Sequence, residues 1–383
     1  MPIGYIGEMQ KIKILHIIKS LGRGGAEMLL PETLKIHNTS RFEFHTIYFL
    51  PWKNQMVEAI ESAGGNVTCF SASNNIKLLQ QYSGVIDYCK TNEIDVIHCH
   101  LPWAGFLGRL VFAKTKIPVV YTEHNMQERY HIVTKKINQF TFNSQSLALG
   151  VSEDVTNSIK KNINPKIPVK TLLNGANTDS FRRDPELGIK IKKELSIPED
   201  ALVIGNVAVF RFQKRLIEWL NVFKKIETKN PNVYGIIVGA GPLEHEIKAE
   251  LIKLNLENKV FFPGLKTNVK PYFSAMDIFM MSSSFEGLPI ALLEAMSMEC
   301  AIVSTDAGGI KEVIRDKQDG LICKVAEWEK LSGLCQVLID DPKKLNEYKK
   351  AARERAVNSF SLKTMVDSLE EIYDSLISNV VTK

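Results

Sequence analysis

The chain has 383 residues, 45% hydrophobic and 24% charged, with a net charge of +5, the balance of an ordinary soluble globular protein. No apolar run approaches the ~18 residues of a membrane span, and the N-terminus lacks the long apolar core of a signal peptide. The six cysteines (Cys69, Cys89, Cys99, Cys300, Cys323, Cys335) form no CxxC pair, which argues against a disulfide framework and for a reduced, cytoplasmic chain.

Short apolar runs alternate with helical patterns from end to end. The first series of predicted strands is "KIKILHII", "FEFHTIYFL", "NVTCF", "DVIHCH", "PVVYTEH", "LALGVS" and "VKTLLN". Amphipathic stretches such as Ala26–His37, Ile76–Lys90 and Trp103–Ala113 lie between them. Such alternation predicts βαβ units on a parallel sheet. "NGANTDSFRRDPELG", Asn174 to Gly188, is rich in turn residues and reads as the exit from this domain. A second series follows: "ALVIGNVAVF", "VYGIIVGAG", "KVFFPG", "DIFMMSS", "AIVSTDAG" and "GLICKV", with a helical tail from Glu327. The length is more than one core usually fills, so two open α/β domains are expected. Ligands of such sheets bind beyond the carboxyl ends of the strands.

The charge is unevenly placed: residues 1–174 carry +6 and the remainder −1. Between Arg129 and Lys170 seven basic residues face only Glu153 and Asp154, with Tyr130, Phe140 and Phe142 among them. A basic, partly aromatic surface can dock on anionic lipid or bind an anionic substrate; a solvated lysine-rich face is the plainer reading. No recognisable nucleic-acid module appears, so no nucleic-acid partner is expected.

"SFEGLPIALLEAM", Ser284 to Met296, places Glu294 inside an apolar helix and Glu286 on the loop before it. Pro289 suits a first helical position, and Gly287 allows the close turn. The amides of Gly287 and Leu288, with the helix dipole, then make an anion site. Glu294 lies about 7–8 Å along the axis from Pro289, and its side chain leans back toward the N-terminus. A carboxylate there can accept two ribose hydroxyls, and Glu286 can meet those of a second sugar. Burying a lone carboxylate is costly, so a polar ligand accounts for both; alternatively, Glu294 faces solvent. His98 and His100 alternate on one strand face, and either line an acceptor side or support the strand end; no third metal ligand is evident.

These residues resemble a known family. "SSSFEGLPIALLEAMSMECAIVSTDAGGIKEVI" looks like the signature segment of the retaining glycosyltransferases of family four. "GGAE" after the first strand, "PVVYTEHN", "LLNGANTDSF", "VGAGP" and "VFFPGLKTNVKPYFSAMDIFMMSS" agree in order and spacing, over roughly residues 11 to 325. The resemblance implies the GT-B fold: α/β, two Rossmann-like domains with parallel sheets facing a central cleft. It implies an N-terminal acceptor-binding domain at 1–180, a nucleotide-sugar-binding domain at 181–360, and a helix at 361–383 packing back toward the first.

By the same resemblance, the donor is a nucleotide diphosphate sugar, UDP favoured over GDP. Glu294 would bind the ribose, Glu286 the donor sugar, and Gly287 and Leu288 would offer amides. Lys214 in "FRFQKR" would contact the diphosphate. The family's arginine five residues earlier is Val209 here, so Arg211 is assigned to the phosphates instead. His124 would face the reacting sugar, Gly24 and Gly25 would approach the donor, and backbone near Leu265 would meet the base. No D-x-D occurs, so the leaving-group charge would fall to protein donors, each worth about 3–4 kcal/mol. No metal and no cofactor beyond the co-substrate are expected. Glu286 and Glu294 are then not a glycosidase pair. Both domains would close on the donor. The acceptor would be a lipid-linked or oligosaccharide sugar of a bacterial surface polysaccharide, with membrane association through the basic first domain, or a small soluble molecule. A GT-B epimerase, a non-catalytic module and a nucleotide dehydrogenase are the competing readings.

Overall fold

A computed structural model describes residues 10–22 and 24–381. The chain divides into two compact units, the first made of residues 1–173 with 365–383, the second of 174–364. All thirteen predicted strands are present, and every pairing between them is parallel.

In the first unit these are β1 (Ile12–Ile18), β2 (Phe42–Tyr48), β3 (Asn66–Cys69), β4 (Val96–His100), β5 (Val119–Glu123), β6 (Leu147–Gly150) and β7 (Val169–Thr171). Their order in the sheet is β3-β2-β1-β4-β5-β6-β7. Every residue of β4, β5 and β6 is buried, whereas edge strands β3 and β7 have none buried. That contrast explains the near-continuous apolar runs of the central strands, which helices cover on both faces. From Met365 the last helix (Leu362–Val381) belongs to this unit. It buries Leu369, Ile372 and Tyr373 against Ile14, Phe42, Phe44 and Tyr48.

In the second unit the strands are β8 (Leu202–Val207), β9 (Val233–Val238), β10 (Val260–Gly264), β11 (Ile278–Met281), β12 (Ala301–Thr305) and β13 (Leu321–Cys323). Their order is β10-β9-β8-β11-β12-β13. Trp219 and Phe223 stack 5.3 Å apart in its core, and the Trp219 indole N–H donates to the Met280 carbonyl.

Helix boundaries shift from expectation by a few residues in several elements, and two of the differences are larger in kind. The stretch Ile76–Lys90 forms two helices, Asn75–Gln80 and Tyr82–Thr91; the first is started by the Asn74 side chain, which accepts the Lys77 N–H. Pro289 is not the first helical residue but the N-cap of the Ile290–Ser297 helix, with ψ 119°. Among the described residues no helix is long and apolar enough to cross a membrane.

Candidate active site

In the second unit, the loops at the carboxyl ends of β8, β11 and β12 are stitched together. After β8 a short turn, Phe212–Lys214, ends on Arg215 in the left-handed region. The Ser282 hydroxyl donates to the carbonyls of Lys214 and Arg215, and the Ser284 amide to that of Gln213. Thr305 donates to the Ser283 carbonyl. Gly308, at φ 57°, lies so close to the Glu286 carbonyl that a Cβ there would overlap it, so only glycine allows this approach.

This framework holds the predicted residues Lys214 and Glu286 together. The Lys214 ammonium donates to Glu286 Oε1 at 2.6 Å, and the Ser283 hydroxyl donates to the same oxygen at 2.7 Å. The resemblance gives these two side chains to phosphate and sugar; the structure pairs them with each other. Among the described residues the amides of Gly287 and Leu288 donate to no other group, while their carbonyls accept from Gly309 and Asn174. Two free amides thus stand before the Ile290–Ser297 helix. Glu294 is in that helix and only 9% exposed, so the solvent-facing alternative is overturned: Leu292, Leu293, Ala295 and Met296 around it are buried too. Arg211 is exposed and makes no ion pair among the described residues. The neighbouring Arg215 is committed to Glu218 and the Val325 carbonyl. Leu265, just past β10, is exposed.

In the first unit Gly24 caps the Gly25–Leu34 helix, which follows β1. His124 directly follows β5, beside the end of β4. Burial lowers its pKa to about 4, so the ring is neutral near pH 7. Its Nε2 is buried without a partner among the described residues. The backbone here is held by Glu123, fully buried, which accepts from the amides of His124 (3.0 Å) and Asn125 (3.2 Å), the Tyr121 hydroxyl (2.7 Å), the Gln127 amide group (2.6 Å) and the Tyr130 hydroxyl.

His98 and His100 do acquire a third neighbour. His16 on β1 pairs in register with His98, and ring nitrogens of the three lie within 4.8 Å of one another. The sequence offered no sign of this, because the β1–β4 register is a tertiary fact. Both nitrogens of His98 already have partners, Tyr373 and Thr122, and His16 Nδ1 is bonded to His100 Nε2. A cation would have to break these bonds. The rings pack with centroids 4.3–5.2 Å apart, His100 stacked on both His16 and His98 and the His16–His98 pair tilted. Burial holds His98 and His100 well below the ordinary imidazole range and His16 at about 3. The arrangement is a neutral, hydrogen-bonded stack.

The Glycosyltransferase Family 4 model matches residues 45–180 and the Glycosyl transferases group 1 model residues 189–355. The chain is 23% identical to an Escherichia coli UDP-Gal:alpha-D-GlcNAc-diphosphoundecaprenol alpha-1,3-galactosyltransferase, over 96% of this chain and 98% of that one. It is 26% identical to a Campylobacter jejuni N-acetylgalactosaminyltransferase named for a diphospho-undecaprenol acceptor, over 94% and 99%. Among solved structures, Anabaena HepE in complex with UDP-glucose superposes with a TM-score of 0.85 at 20% identity, covering 95% of this chain and all of that one. With its two parallel-sheet units and both halves matched, the chain belongs to the group 1 glycosyltransferases of GT-B fold.

Proposed function

We propose that this glycosyltransferase moves a sugar from a UDP-sugar, with retention of configuration and without a metal ion, to a lipid-linked or oligosaccharide acceptor in bacterial surface polysaccharide assembly. The observation that carries this reading is the arrangement in the second unit: Lys214, Glu286 and two free amides at the head of the helix that buries Glu294. The names of the relatives add UDP-galactose and diphosphoundecaprenol chemistry, and HepE adds UDP-glucose.

In this reading the second unit binds the donor and the first unit the acceptor. Glu294 accepts the ribose hydroxyls. Lys214, Arg211 and the amides of Gly287 and Leu288 hold the diphosphate, while backbone at Leu265 meets the base. The bond from the anomeric carbon to the diphosphate breaks, and a new bond forms to the acceptor oxygen on the same face. The acceptor proton passes to the leaving phosphate. Preorganised cations and amides stabilise the growing charge there. Lys214 has three protons and gives one to Glu286, leaving two for phosphate oxygens. Glu286, oriented by Ser283 and Lys214, accepts donor-sugar hydroxyls. His124 serves the sugar as a neutral ring, and Gly24 and Gly25 bring backbone toward the donor.

The protein works at the inner face of the membrane in this reading. The Ile132–Thr141 helix of the first unit supports that placement: Ile132, Val133 and Phe140 are 60%, 53% and 85% exposed, beside Lys135 and Lys136. The neighbouring Glu153–Ile163 helix adds Lys160 and Lys161.

The deciding experiment is a thermal-shift screen of nucleotides and nucleotide sugars on wild type and Glu294→Ala. A bound donor raises the melting temperature by mass action. UDP and one UDP-sugar are expected to stabilise wild type and not the variant; equal stabilisation of both removes Glu294 from the site, and stabilisation by no nucleotide removes the reading.

A further inference from the structure

The imidazole stack is unevenly satisfied, and where it is unsatisfied is informative. His98, in mid-strand, has partners on both ring nitrogens. His100, the last residue of β4, has one: its Nε2 lies 2.9 Å from His16 Nδ1, and its Nδ1 is buried with no partner among the described residues. The Nε2 of His124 is buried and unpartnered as well. Native proteins pair nearly all such atoms, and here two orphans sit on adjacent side chains.

The two rings share one place in the sheet. β4 and β5 are neighbours with His100 opposite Thr122, so residue 124 is two residues further along on the same face. The ring centroids are 5.8 Å apart, near enough for one small ligand to touch both. Both residues stand at the carboxyl ends of parallel strands, where open α/β sheets take their ligands. The residue after His100, Leu101, opens the next helix at φ 69°, a left-handed conformation that leucine rarely adopts and that concentrates at functional sites.

The chemistry of the rings selects the ligand. Burial keeps both neutral near pH 7, so they are poor partners for a phosphate. A neutral ring nitrogen is either a donor or an acceptor according to tautomer, and a hydroxyl satisfies either. We propose that His100 Nδ1 and His124 Nε2 form a hydroxyl-binding pair for a sugar substrate, with His16 positioning His100 through its other nitrogen. This assigns a substrate contact to His100, and it rests on the functional reading above.

The test compares wild type, His100→Phe and His100→Asn. Phenylalanine keeps a ring in the stack but removes both nitrogens, the Nε2 bonded to His16 included, and asparagine restores a polar atom near the Nδ1 position. Melting temperature and UDP affinity are measured alongside kcat and KM for donor and acceptor. The expected result is a fall of about ten- to a hundredfold in kcat/KM for His100→Phe, the scale of one lost buried hydrogen bond, with UDP affinity unchanged and substantial recovery in His100→Asn. If the hydroxyl is the donor's, hydrolysis of the UDP-sugar without acceptor falls in parallel; if it is the acceptor's, hydrolysis persists and acceptor KM rises. A folded His100→Phe that binds UDP and transfers sugar as wild type does overturns the inference alone. Should His100→Phe fail to fold, ring-nitrogen chemical shifts of 15N-histidine-labelled wild type decide: the His100 and His124 resonances must move, and those of His98 stay, on saturation with UDP-sugar and then acceptor. Unmoved shifts mean that water fills the site and overturn the proposal. A wild type that binds no UDP overturns the functional reading, and the inference with it.

Discussion

The Lys214 ammonium and the Glu286 carboxylate meet at 2.6 Å, though they come from different loops 72 residues apart. Both side chains are mostly buried, and the Ser283 hydroxyl donates to the same carboxylate oxygen as Lys214. Removing one partner therefore has two effects: it takes away a group proposed to touch the donor, and it leaves the other charge poorly compensated. Lys214→Ala is expected to lower kcat by about a hundred- to a thousandfold, the usual effect of losing one preorganised donor at a developing charge, and to weaken UDP binding. Glu286→Gln keeps the shape and is expected to lower turnover while leaving UDP affinity within a few-fold of wild type. Titration calorimetry with UDP separates the two; equal loss of UDP affinity in both variants contradicts the division of roles.

Glu123 is the second residue whose loss should travel. It accepts five hydrogen bonds, two of them from the backbone that sets the direction of His124. Burial raises its pKa, against which those bonds act. Glu123→Ala strands several buried donors, and a loss of about 3 kcal/mol or more in stability is expected. Glu123→Gln keeps the volume and part of the bonding. It should fold and show a lowered kcat with UDP affinity unchanged, because the altered loop moves His124 and not the second unit. A Glu123→Gln enzyme with wild-type kcat shows that the network serves stability alone.

Much of this was legible from residue order. Apolar runs gave all thirteen strands because parallel strands are buried on both faces, and the glutamate spacing pointed to the candidate residues of the second unit because they lie on one loop and one short helix. What needed the structure was contact between distant strands. His16 reads as one polar residue in an apolar strand until β1 is laid beside β4. Glu123 sits in the quoted "PVVYTEHN", yet its role depends on Tyr121, Gln127 and Tyr130 folding around it. The Lys214–Glu286 pair escaped because each residue read separately as a ligand contact.

The buried histidines make acid stability predictable in sign. His16, His37, His98, His100 and His124 all have folded pKa values below the ordinary 6.5. Below pH 6.5 the unfolded chain binds protons that the folded chain refuses, so stability must fall as pH drops through that value. Each fully differential histidine contributes about 1.4 kcal/mol per pH unit. Glu123 opposes this with a single proton, since its folded pKa is raised. Hydrogen exchange of the β1 and β4 amides reads this unit directly: protection should decline steadily from pH 6.5 to 5 after correction for intrinsic rates. Protection that is flat over that range means the stack is not neutral in the folded protein.

The exposed helix Ile132–Thr141 gives the last prediction. Ile132, Val133 and Phe140 face water, while Asn138 on the opposite side is buried and bonded to Arg109 and Gln127. The helix is thus held firmly from behind and presents an apolar ridge flanked by lysines, the pattern of an interfacial helix. Inserting a phenylalanine side chain is worth about 1.5–3 kcal/mol, and each lysine near an anionic surface about 1 kcal/mol. Wild type should co-sediment with phosphatidylglycerol vesicles, less so as salt rises, and weakly with phosphatidylcholine. Phe140→Glu should weaken the anionic-vesicle binding at least about tenfold, as one lost insertion requires, with turnover of a short water-soluble acceptor unchanged. Lys135→Glu with Lys136→Glu should remove the salt dependence while leaving residual binding to both lipids. Vesicle binding that is indifferent to all three substitutions would mean that the membrane, if met at all, is met by another face. Concentration-dependent dimerisation abolished by Phe140→Glu would assign the ridge to a second copy of the chain.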